Sequence, residues 1–294
     1  MTSEKRIGLV GTGLMGQPVA RRLAAAGYTV TVWNRSLDKA RALEQYGVKT
    51  VTSAAQLVAE NKVIICLLSD VQACNEVLFN DSTLKAATQN TVIIMMSTLS
   101  PEIVIKQQAE ARKVQVNYID MPVSGGTRGA ENGTLSLMAG GKAELIDALR
   151  PLLSHLGKVT RVGDVGTGQL TKLANQIIVA GTLSLLSEAF TLAQKGGADP
   201  VQVREALLGG FADSTLLQQQ GERMVQHDFT ARGPAKWQLK DTRSTVALAK
   251  QLGLTLPVTE TVNTLFSQMI EAGDGELDHC AVIRQIQRLN GIAT

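Results

Sequence analysis

The sequence predicts an α/β domain built on a parallel sheet, followed by an all-α helical domain, with one long helix at the junction. In the first half of the 294 residues, short apolar runs such as RIGLV and KVIICLL alternate with segments of helical spacing. This alternation is typical of a parallel sheet covered by helices on both faces. After the glycine-rich segment 163–168 the pattern is helical. We therefore place the two domains at residues 1–163 and 164–294.

Strands and helices are predicted to alternate through most of the first half. The segments with the apolar or β-branched character of strands are RIGLV, YTVTVWN, KVIICLL, TVIIMMS, VNYIDMPVS, GTLSLMAGG and KVTRVGD. The segments with helical spacing are MGQPVARRLAAAG, SLDKARALEQYG, VQACNEVLF, PEIVIKQQAEARK and AELIDALRPLLSHLG. One of these helices starts at Pro101, where a first turn tolerates proline, and Ser100 is its expected cap.

The second half is predicted to be helical throughout. Its segments are GQLTKLANQIIVAGTLSLLSEAF, DPVQVREALLGG, STLLQQQGERMVQ, KWQLKDTRSTVALAKQLG, PVTETVNTLFSQMIEAG and LDHCAVIRQIQRLNG. The first of them, residues 168–190, is the long helix at the junction.

Composition and charge argue against several classes of protein. A net charge of +3 gives no support for a nucleic-acid or membrane partner. The cysteines, Cys66, Cys74 and Cys280, lack CxxC spacing, so we expect neither a disulfide framework nor a metal site. The chain starts without an apolar stretch of signal-peptide length. The most apolar part of the junction helix, Ile177–Leu186, is shorter than the roughly 20 residues that span a bilayer. We therefore expect a cytoplasmic protein.

The stretch GLVGTGLMG places Gly11, Gly13 and Gly16 in GxGxxG spacing between a predicted strand and a predicted helix. In that context the first glycine makes a tight turn and the second lets the backbone approach a pyrophosphate. The third lets the helix pack closely on the strand. The alternative is a plain strand–helix turn. We favour a Rossmann-type dinucleotide site, to which Leu14 and Met15 of the same loop also belong.

The end of the second strand indicates which dinucleotide is bound. NAD-specific sites usually carry an acidic residue about 20 residues after the glycines. Here Asn34 stands at that place, and Arg35 and Ser36 follow. A guanidinium and a hydroxyl can bind a 2′-phosphate that a carboxylate would repel. We therefore expect NADP(H) to be preferred over NAD(H), although Arg35 could instead be a solvated loop residue.

Two further strand ends carry candidate ligand-binding residues. Ser97 and Thr98 end the strand TVIIMMS, and Thr98 could contact the nicotinamide end of the cofactor. Leu67 and Leu68 end the strand KVIICLL and are counted with Thr98 as cofactor-binding residues. Open α/β sheets bind ligands at this carboxyl edge.

A second glycine cluster, DMPVSGGTRGAENGTLSLMAGG, follows another predicted strand. Within it, Ser124 offers a hydroxyl, and the glycines Gly125 and Gly126 could present backbone N–H groups to an anion. An ordinary turn would also use glycines at these positions. The segment by itself leaves both interpretations open.

The junction helix carries an ammonium and two amides where apolar residues would pack better. Lys172, Asn175, Gln176 and Val179 follow i, i+3, i+4 and i+7 spacing, so they share one helix face. A surface lysine at a helix start is the ordinary alternative. Because the three polar residues lie just after the domain boundary, we expect Lys172 to face a cleft. There an ammonium can bond a substrate oxygen and release a proton.

Four motifs in this order resemble the β-hydroxyacid dehydrogenase family: IGLVGTGLMGQPVARRL, DMPVSGGTRGAENGTLSLMAGG, GQLTKLANQ and LKDTRSTVALAKQLG. They span nearly the whole chain and are most similar to the tartronate semialdehyde reductase and 3-hydroxyisobutyrate dehydrogenase branches. The resemblance implies a Rossmann-type domain joined by a long helix to a helical domain, usually in homodimers or homotetramers. It implies reversible oxidation of a short 3-hydroxy acid to its aldehyde or ketone.

The resemblance also implies roles for individual residues. Lys172 would be the proton donor or acceptor, and Asn175 would orient the substrate or the lysine. The segment 124–126 would hold the substrate carboxylate, and we count Gln176 with the substrate-binding residues. The remaining residues with an implied role lie near the cofactor or behind the site: Thr98 and Lys240 against the cofactor, and Asp241 in support.

Two departures from the family pattern concern specificity. Relatives often have a phenylalanine eight residues before the aspartate of the Lys-Asp pair, whereas this chain has Gly233, with Trp237 where an aliphatic residue is usual. Asn34 replaces the usual acid. We expect an NADPH-linked reductase of a small aldehyde acid. The alternatives are a 3-hydroxyisobutyrate dehydrogenase, a glyoxylate or succinic semialdehyde reductase, and a non-catalytic NADP(H)-binding module.

Overall fold

The computed structural model describes residues 5–292. The chain forms two compact units that divide between Lys172 and Leu173. The predicted boundary at residues 163 and 164 stays a prediction. An α/β unit is followed by a helical unit, and one long helix runs from the first into the second, as the sequence predicts.

Between residues 5 and 292 the chain forms nine strands, most of which were predicted. Their bounds are Arg6–Val10 (β1), Thr29–Trp33 (β2), Lys49–Thr50 (β3), Val63–Cys66 (β4), Val92–Met95 (β5), Asn117–Asp120 (β6), Val123–Ser124 (β7), Leu135–Gly140 (β8) and Gly157–Gly163 (β9). The predicted strand VNYIDMPVS is interrupted at Pro122, which has no N–H group for the sheet, so it forms β6 and β7. The two-residue β3 was not predicted because it is too short to show a period.

The helices that cover the sheet include three that were not predicted, α3, α5 and α7. The helices of this unit are Gly16–Ala25 (α1), Leu37–Arg41 (α2), Ala54–Glu60 (α3), Val71–Leu78 (α4), Asp81–Lys85 (α5), Pro101–Lys113 (α6), Gly126–Asn132 (α7) and Ala143–Leu153 (α8). The three that were missed have at most seven residues each, which is too few for apolar spacing to stand out. Ser100 caps α6 as predicted, because its side chain accepts a hydrogen bond from the Ile103 N–H group.

The sheet is parallel over its first six strands and reverses direction after them. The strand order is β3-β2-β1-β4-β5-β6-β8-β7, with β9 paired to β8. The strands β1 to β6 pair in parallel, whereas β8 is antiparallel to both β6 and β7. The predicted parallel sheet is therefore present in β1 to β6, and the antiparallel pairing of β8 with β6 and β7 is an addition that the sequence pattern did not indicate. The connection through β7 and α7 brings the chain back to the sheet in the opposite direction.

Each face of the sheet packs its own core. Along β1, Ile7 and Leu9 belong to one buried cluster and Val10 to the other. Along β4, Ile65 belongs to the first cluster and Ile64 to the second. Successive strand residues point to opposite faces, so continuous apolar strands indicate that both faces are covered.

The helical unit packs around the junction helix. Its helices are Thr167–Lys195 (α9), which begins in the first unit, Pro200–Leu207 (α10), Glu222–Val225 (α11), Ala235–Gln251 (α12), Pro257–Met269 (α13) and Val282–Leu289 (α14). Single π-helical turns, Leu217–Gly221 and Ile270–Asp274, adjoin α11 and α13. The core includes Leu183 and Phe190 of α9 together with Phe266 of α13.

The apolar part of the junction helix was expected to be too short to span a bilayer, but α9 as a whole is long enough. This helix has 29 residues, and by length and composition alone it could cross a membrane, with a mean hydropathy of 1.5 in its most apolar window. Of that window, 44% is buried inside the protein. A single helix of this kind is weak evidence for a membrane span. The cytoplasmic location stays a prediction.

A buried ion pair fixes the carboxyl-terminal part of the helical unit. The Arg223 guanidinium lies 3.0 Å from the Asp278 carboxylate, and their side chains are 6% and 0% exposed. Asp278 also accepts hydrogen bonds of 2.8 Å from the N–H groups of Arg232 and Gly233. Burial favours the neutral acid, but His279, these two N–H groups and Arg223 outweigh it and keep the pKa of Asp278 below its usual value.

We expect Asp278→Ala to lower the free energy of unfolding of the helical unit by about 3–5 kcal/mol, because it removes the buried carboxylate that pairs with Arg223 and accepts the N–H groups of Arg232 and Gly233. Urea unfolding followed by circular dichroism measures this loss. Glu276→Ala is the matched control, since it removes an exposed carboxylate that pairs with Lys236 at 2.6 Å and should cost less than about 1 kcal/mol. Equal losses of unfolding free energy in the two variants would contradict a stabilising role for the buried Asp278–Arg223 ion pair.

Candidate functional site

The glycine loop after β1 closes tightly on the end of β4. Gly11 has a φ of +97°, and a Cβ there would lie 2.3 Å from the Leu67 carbonyl oxygen. At Gly16 a Cβ would lie 1.8 Å from the Gly11 carbonyl oxygen. Neither position can hold a side chain without moving backbone. The geometry of these two glycines is the one that a turn and a close helix–strand approach require.

The middle of the same loop is open. A Cβ at Gly13 would meet nothing within 4 Å, and the neighbouring Leu14 is 58% exposed. The amino terminus of α1, with Met15 at its cap position, has no side-chain cap, like those of α2, α7 and α8 and unlike those of α3 to α6. Uncapped helical N–H groups favour an anion at this end. The loop therefore fits the pyrophosphate of a dinucleotide, and the roles of its residues stay predictions.

Asn34 ties this loop to the end of β2. Its side-chain oxygen accepts a hydrogen bond of 3.1 Å from the Thr12 N–H group, and its Nδ2 donates one of 3.0 Å to the Ser36 carbonyl oxygen. Arg35 and Ser36 are exposed. The uncharged Asn34 side chain therefore connects the glycine loop to the end of β2 by hydrogen bonds. The exposed guanidinium of Arg35 and the exposed hydroxyl of Ser36 lie next to it in the chain.

The ends of β4 and β5 are held together by Ser97. The Ser97 hydroxyl accepts a hydrogen bond of 2.8 Å from the Leu68 N–H group, and the Ser97 N–H group donates one of 3.2 Å to the Cys66 carbonyl oxygen. The Leu67 N–H group donates to the Val10 carbonyl oxygen at 2.9 Å. The segments with the predicted cofactor contacts therefore lie together at the carboxyl edge of the parallel sheet.

The second glycine cluster forms a turn into α7. Ser124 pairs with Ser136 of β8, and both residues that follow it, Gly125 and Gly126, have positive φ, +129° and +62°. Both glycines are exposed, and the Gly125 carbonyl oxygen accepts the Gly129 N–H group at 2.9 Å. The turn that the sequence offered as one interpretation is present. Anion binding by this segment stays a prediction.

A buried carboxylate at the end of β6 caps the start of α9. Asp120 is 0% exposed, and its two carboxyl oxygens accept hydrogen bonds from the N–H groups of Gly166 at 2.9 Å and Gln169 at 2.7 Å. At Gly168 a Cβ would lie 2.8 Å from this carboxylate, so the approach needs glycine. The sequence reasoning missed Asp120, although an acid at the end of the predicted strand VNYID was a signal.

Gln169 is a second residue that the sequence reasoning missed. Its side chain is fully buried, its oxygen accepts the Leu99 N–H group at 3.0 Å, and its nitrogen donates to the Ser97 carbonyl oxygen at 2.8 Å. We call these two hydrogen bonds the Gln169 bridge. They bind the first turn of α9 to the loop that carries Thr98. A glutamine three residues before Lys172 was the available signal.

Lys172 follows Gln169 by one helical turn and is 8% exposed. Asn175 and Gln176 lie on the next turn of α9, as their spacing predicts. An ammonium at this degree of burial is costly unless it is bonded, which makes it an unusual choice for packing alone. The surface-lysine interpretation is therefore wrong.

An ordered set of amides lies within the helical unit. The Gln176 amide nitrogen donates to the Asp241 carboxylate at 2.7 Å, and the Asn175 amide nitrogen donates to the Gln176 amide oxygen at 2.9 Å. A carboxylate can only accept, so it fixes the orientation of Gln176 and, through it, that of Asn175. Lys240 lies 3.2 Å from the other Asp241 oxygen.

The two positions that depart from the family pattern also lie in this unit. The Gly233 N–H group bonds Asp278, and a Cβ at Gly233 would lie 3.7 Å from the His279 ring. Trp237 is 38% exposed. A larger residue at position 233 would therefore meet an imidazole at ordinary contact distance.

Among the described residues, Cys66, Cys74 and Cys280 are buried and form no disulfide, and the Cys66 and Cys74 sulfurs lie 3.9 Å apart. Burial raises the pKa of the Cys66 thiol well above its usual value. Throughout residues 5–292, no group of three or more His, Cys, Asp or Glu side chains is arranged to hold a metal ion.

Comparison with known families divides the chain in the same order as the fold. Residues 6–166 match the NAD binding domain of 6-phosphogluconate dehydrogenase. Residues 166–286 match the family described as NAD-binding of NADP-dependent 3-hydroxyisobutyrate dehydrogenase.

Individual relatives cover nearly the whole chain. It is 39% identical to 2-hydroxy-3-oxopropionate reductase of Escherichia coli (strain K12), over 96% of this chain and 97% of the relative. It is 35% identical to a probable 3-hydroxyisobutyrate dehydrogenase-like 3, mitochondrial, of Arabidopsis thaliana, over 99% and 90%. The crystal structure of 3-hydroxyisobutyrate dehydrogenase from Salmonella typhimurium superposes with a TM-score of 0.88 at 25% identity, covering 95% of this chain and 99% of that one.

The buried Asp120 carboxyl is expected to make the free energy of unfolding depend on pH. Burial raises the pKa of Asp120 from 3.8 to about 6, although the N–H groups of Gly166 and Gln169 favour the ionised form. A carboxyl whose folded pKa is raised makes the folded protein less stable as the pH rises between these two values, here by up to about 3 kcal/mol. We expect the free energy of unfolding of the wild type, minus that of Asp120→Asn, to fall between pH 4 and pH 6.

Urea unfolding at several pH values measures this difference. Asp81→Asn is the control, since it alters an exposed acid in the first turn of α5 and should show no comparable change. A difference that instead grows with pH would mean that the ionised carboxylate is the more stable form in the folded protein.

Proposed function

The chain belongs to the β-hydroxyacid dehydrogenase family, and on this premise we propose that it reduces a short semialdehyde acid to the hydroxy acid with NADPH. The observation that carries the proposal is the buried Lys172, one turn after the Gln169 bridge. The substrate we favour is 2-hydroxy-3-oxopropionate, because the relative of that activity is 39% identical over nearly the whole chain.

In the proposed reaction each group of this chain has one task. NADPH, when bound, supplies the hydride that adds to the carbonyl carbon. Lys172 protonates the carbonyl oxygen as negative charge develops on it. Ser124, Gly125 and Gly126 hold the substrate carboxylate with a hydroxyl and backbone N–H groups. Asn175 offers an amide oxygen, which can accept a hydrogen bond from the hydroxyl group of the product or from an ammonium.

The preference for NADPH over NADH is part of the proposal. Asn34 takes the place of an acid, and its oxygen is engaged by the Thr12 N–H group. Exposed side chains of Arg35 and Ser36 adjoin it. A guanidinium forms charge-assisted hydrogen bonds with phosphate, and no carboxylate at position 34 opposes them.

Two other substrates compete with the favoured one. A 3-hydroxyisobutyrate dehydrogenase activity is supported by the similarity of residues 166–286 to that family. A glyoxylate or succinic semialdehyde reductase is the other candidate, because Gly233 and Trp237 depart from the family pattern and a different pocket wall would suit a different acid.

We also propose a homodimer or homotetramer. Ile178, Leu185 and Leu192 recur every seven residues on one side of α9 and are 66%, 64% and 77% exposed. Exposed apolar side chains in such a row are typical of a surface that a second copy covers.

We expect Lys172→Ala to lower kcat at least 100-fold, because the alkoxide loses its proton donor. The NADPH dissociation constant should change less than about threefold, since the phosphate loop is untouched. The assay follows NADPH oxidation with 2-hydroxy-3-oxopropionate, methylmalonate semialdehyde, glyoxylate and succinic semialdehyde. Lys195→Ala, at the exposed end of α9, is the control.

Turnover of Lys172→Ala near the wild-type rate would contradict the mechanism. NADPH binding by the wild type without turnover of any of the four acids would favour the non-catalytic module instead.

We expect the wild type to have a higher kcat/KM with NADPH than with NADH. Arg35→Ala should lower kcat/KM for NADPH about 10- to 100-fold, because a hydrogen bond to a charged group is lost. It should leave kcat/KM for NADH unchanged. Steady-state kinetics with both cofactors measure this. Arg41→Ala, which alters an exposed arginine at the end of α2, is the control. A wild type that prefers NADH would overturn the cofactor assignment.

A further inference from the structure

We propose that Gln169 is a positioning residue for the reaction: its bridge fixes the backbone on both sides of Thr98 and ties it to the helical turn that carries Lys172. The inference rests on the proposed function, in which Thr98 lies against the cofactor and Lys172 donates the proton.

The Gln169 bridge holds both peptide groups that flank Thr98. The Ser97 carbonyl belongs to the peptide before Thr98, and the Leu99 N–H group belongs to the peptide after it. Two fixed peptide planes leave little freedom for the backbone dihedral angles of the residue between them. One side chain from α9 therefore determines the direction in which Thr98 presents its own side chain.

Gln169 is itself held in place from the sheet. The Asp120 carboxylate accepts its N–H group at 2.7 Å. On the other side, the Ser97 hydroxyl accepts the Leu68 N–H group at 2.8 Å. The ends of β4, β5 and β6 and the first turn of α9 are thus joined by hydrogen bonds between fully or largely buried groups.

Lys172 shares the fixed turn. Residues three apart on an α-helix lie on the same side, about 4.5 Å apart along the axis. Gln169, Lys172 and Gln176 follow i, i+3 and i+7 spacing on α9. The bridge therefore sets the position of the proton donor relative to Thr98, and misplacement of reacting groups by about 1 Å can cost 100-fold in rate.

A carboxamide is needed at this position. An apolar residue would leave a buried carbonyl and a buried N–H group unpaired, at about 1–3 kcal/mol each. A glutamate could accept from Leu99 but would repel the Ser97 carbonyl oxygen. A purely structural role would lower stability alone, so the experiment separates positioning from stability.

The test compares Gln169→Met with the control Gln107→Met. Gln107 in α6 is also a buried glutamine with both amide groups bonded, to Asn75 and to Tyr118, each at 2.8 Å. The two variants should lose similar stability. We expect Gln169→Met to lower kcat about 10- to 100-fold with less than a threefold change in the NADPH dissociation constant, and Gln107→Met to keep the wild-type kcat.

A double-mutant cycle tests whether the effect passes through Thr98. In a Thr98→Ala background, Gln169→Met should lower kcat less than about threefold, because there is no Thr98 side chain left to position. Independent effects that multiply in full would overturn the proposal, as would a Gln169→Met variant with the wild-type kcat.

Amide hydrogen exchange gives a readout that needs no substrate. In the full chain, exchange at the Leu99 N–H group should accelerate about tenfold or more in Gln169→Met and stay unchanged in Gln107→Met. If Gln169→Met does not fold, Gln169→Glu serves in its place, with the same expected loss of kcat. Unchanged Leu99 exchange in folded Gln169→Met would overturn the bridge, whereas Gln169→Glu is judged on kcat alone because a glutamate can still accept the Leu99 N–H group.

Failure of the inference and failure of the proposed function are distinguishable. A wild type that turns over none of the four acids refutes the proposed function. A wild type that turns over one of them, loses turnover in Lys172→Ala and keeps it in Gln169→Met refutes the inference alone.

Discussion

The candidate site depends on one buried carboxylate, Asp120, which receives the first N–H groups of α9. The acid ends β6, and the helix that it caps carries Lys172. Glycines at positions 140 and 168 have no side chain because either Cβ would collide with the carboxylate or with backbone beside it. A helix start without such a partner would leave buried N–H groups unpaired. The carboxylate therefore fixes where the helix begins and, through the helical repeat, where the lysine lies.

Buried polar groups that must be paired position the other candidate residues as well. The Ser97 and Leu99 backbone groups need partners, and Gln169 supplies both. The Asp241 carboxylate can only accept, so it orients the amides of Gln176 and Asn175 in sequence. A carbonyl or carboxylate can only accept a hydrogen bond, and a backbone N–H group can only donate one. Each of these groups therefore determines which way round the neighbouring carboxamide, which can do both, is oriented. The cost of an unpaired buried polar group then makes the arrangement rigid.

Much of the fold could be predicted because its signals are local. Apolar runs, helical spacing and the glycine spacing of Gly11, Gly13 and Gly16 lie within short windows. The polar face of Lys172, Asn175 and Gln176 is local too, and it led to the candidate lysine. Asp120 and Gln169 were missed because their partners lie 46 to 72 residues away, and one sequence carries no record of such pairs. The reversal at β8 was missed for the same reason, since strand direction depends on how the chain returns and not on strand composition.

The composition of α9 reflects two structural requirements, packing in the helical core and hydrogen bonding to the ends of the strands. Its carboxyl-terminal two-thirds pack in a core with Leu183 and Phe190, which requires apolar residues. Its first turns satisfy a strand-end carboxylate and a loop backbone, which requires Gln169 and small glycines where the chains approach. A helix chosen only for packing would have a leucine at position 169, and that leucine would leave two backbone groups unpaired. Gln169 is therefore the polar residue that attaches the helix to the sheet, and Lys172 lies one turn after it.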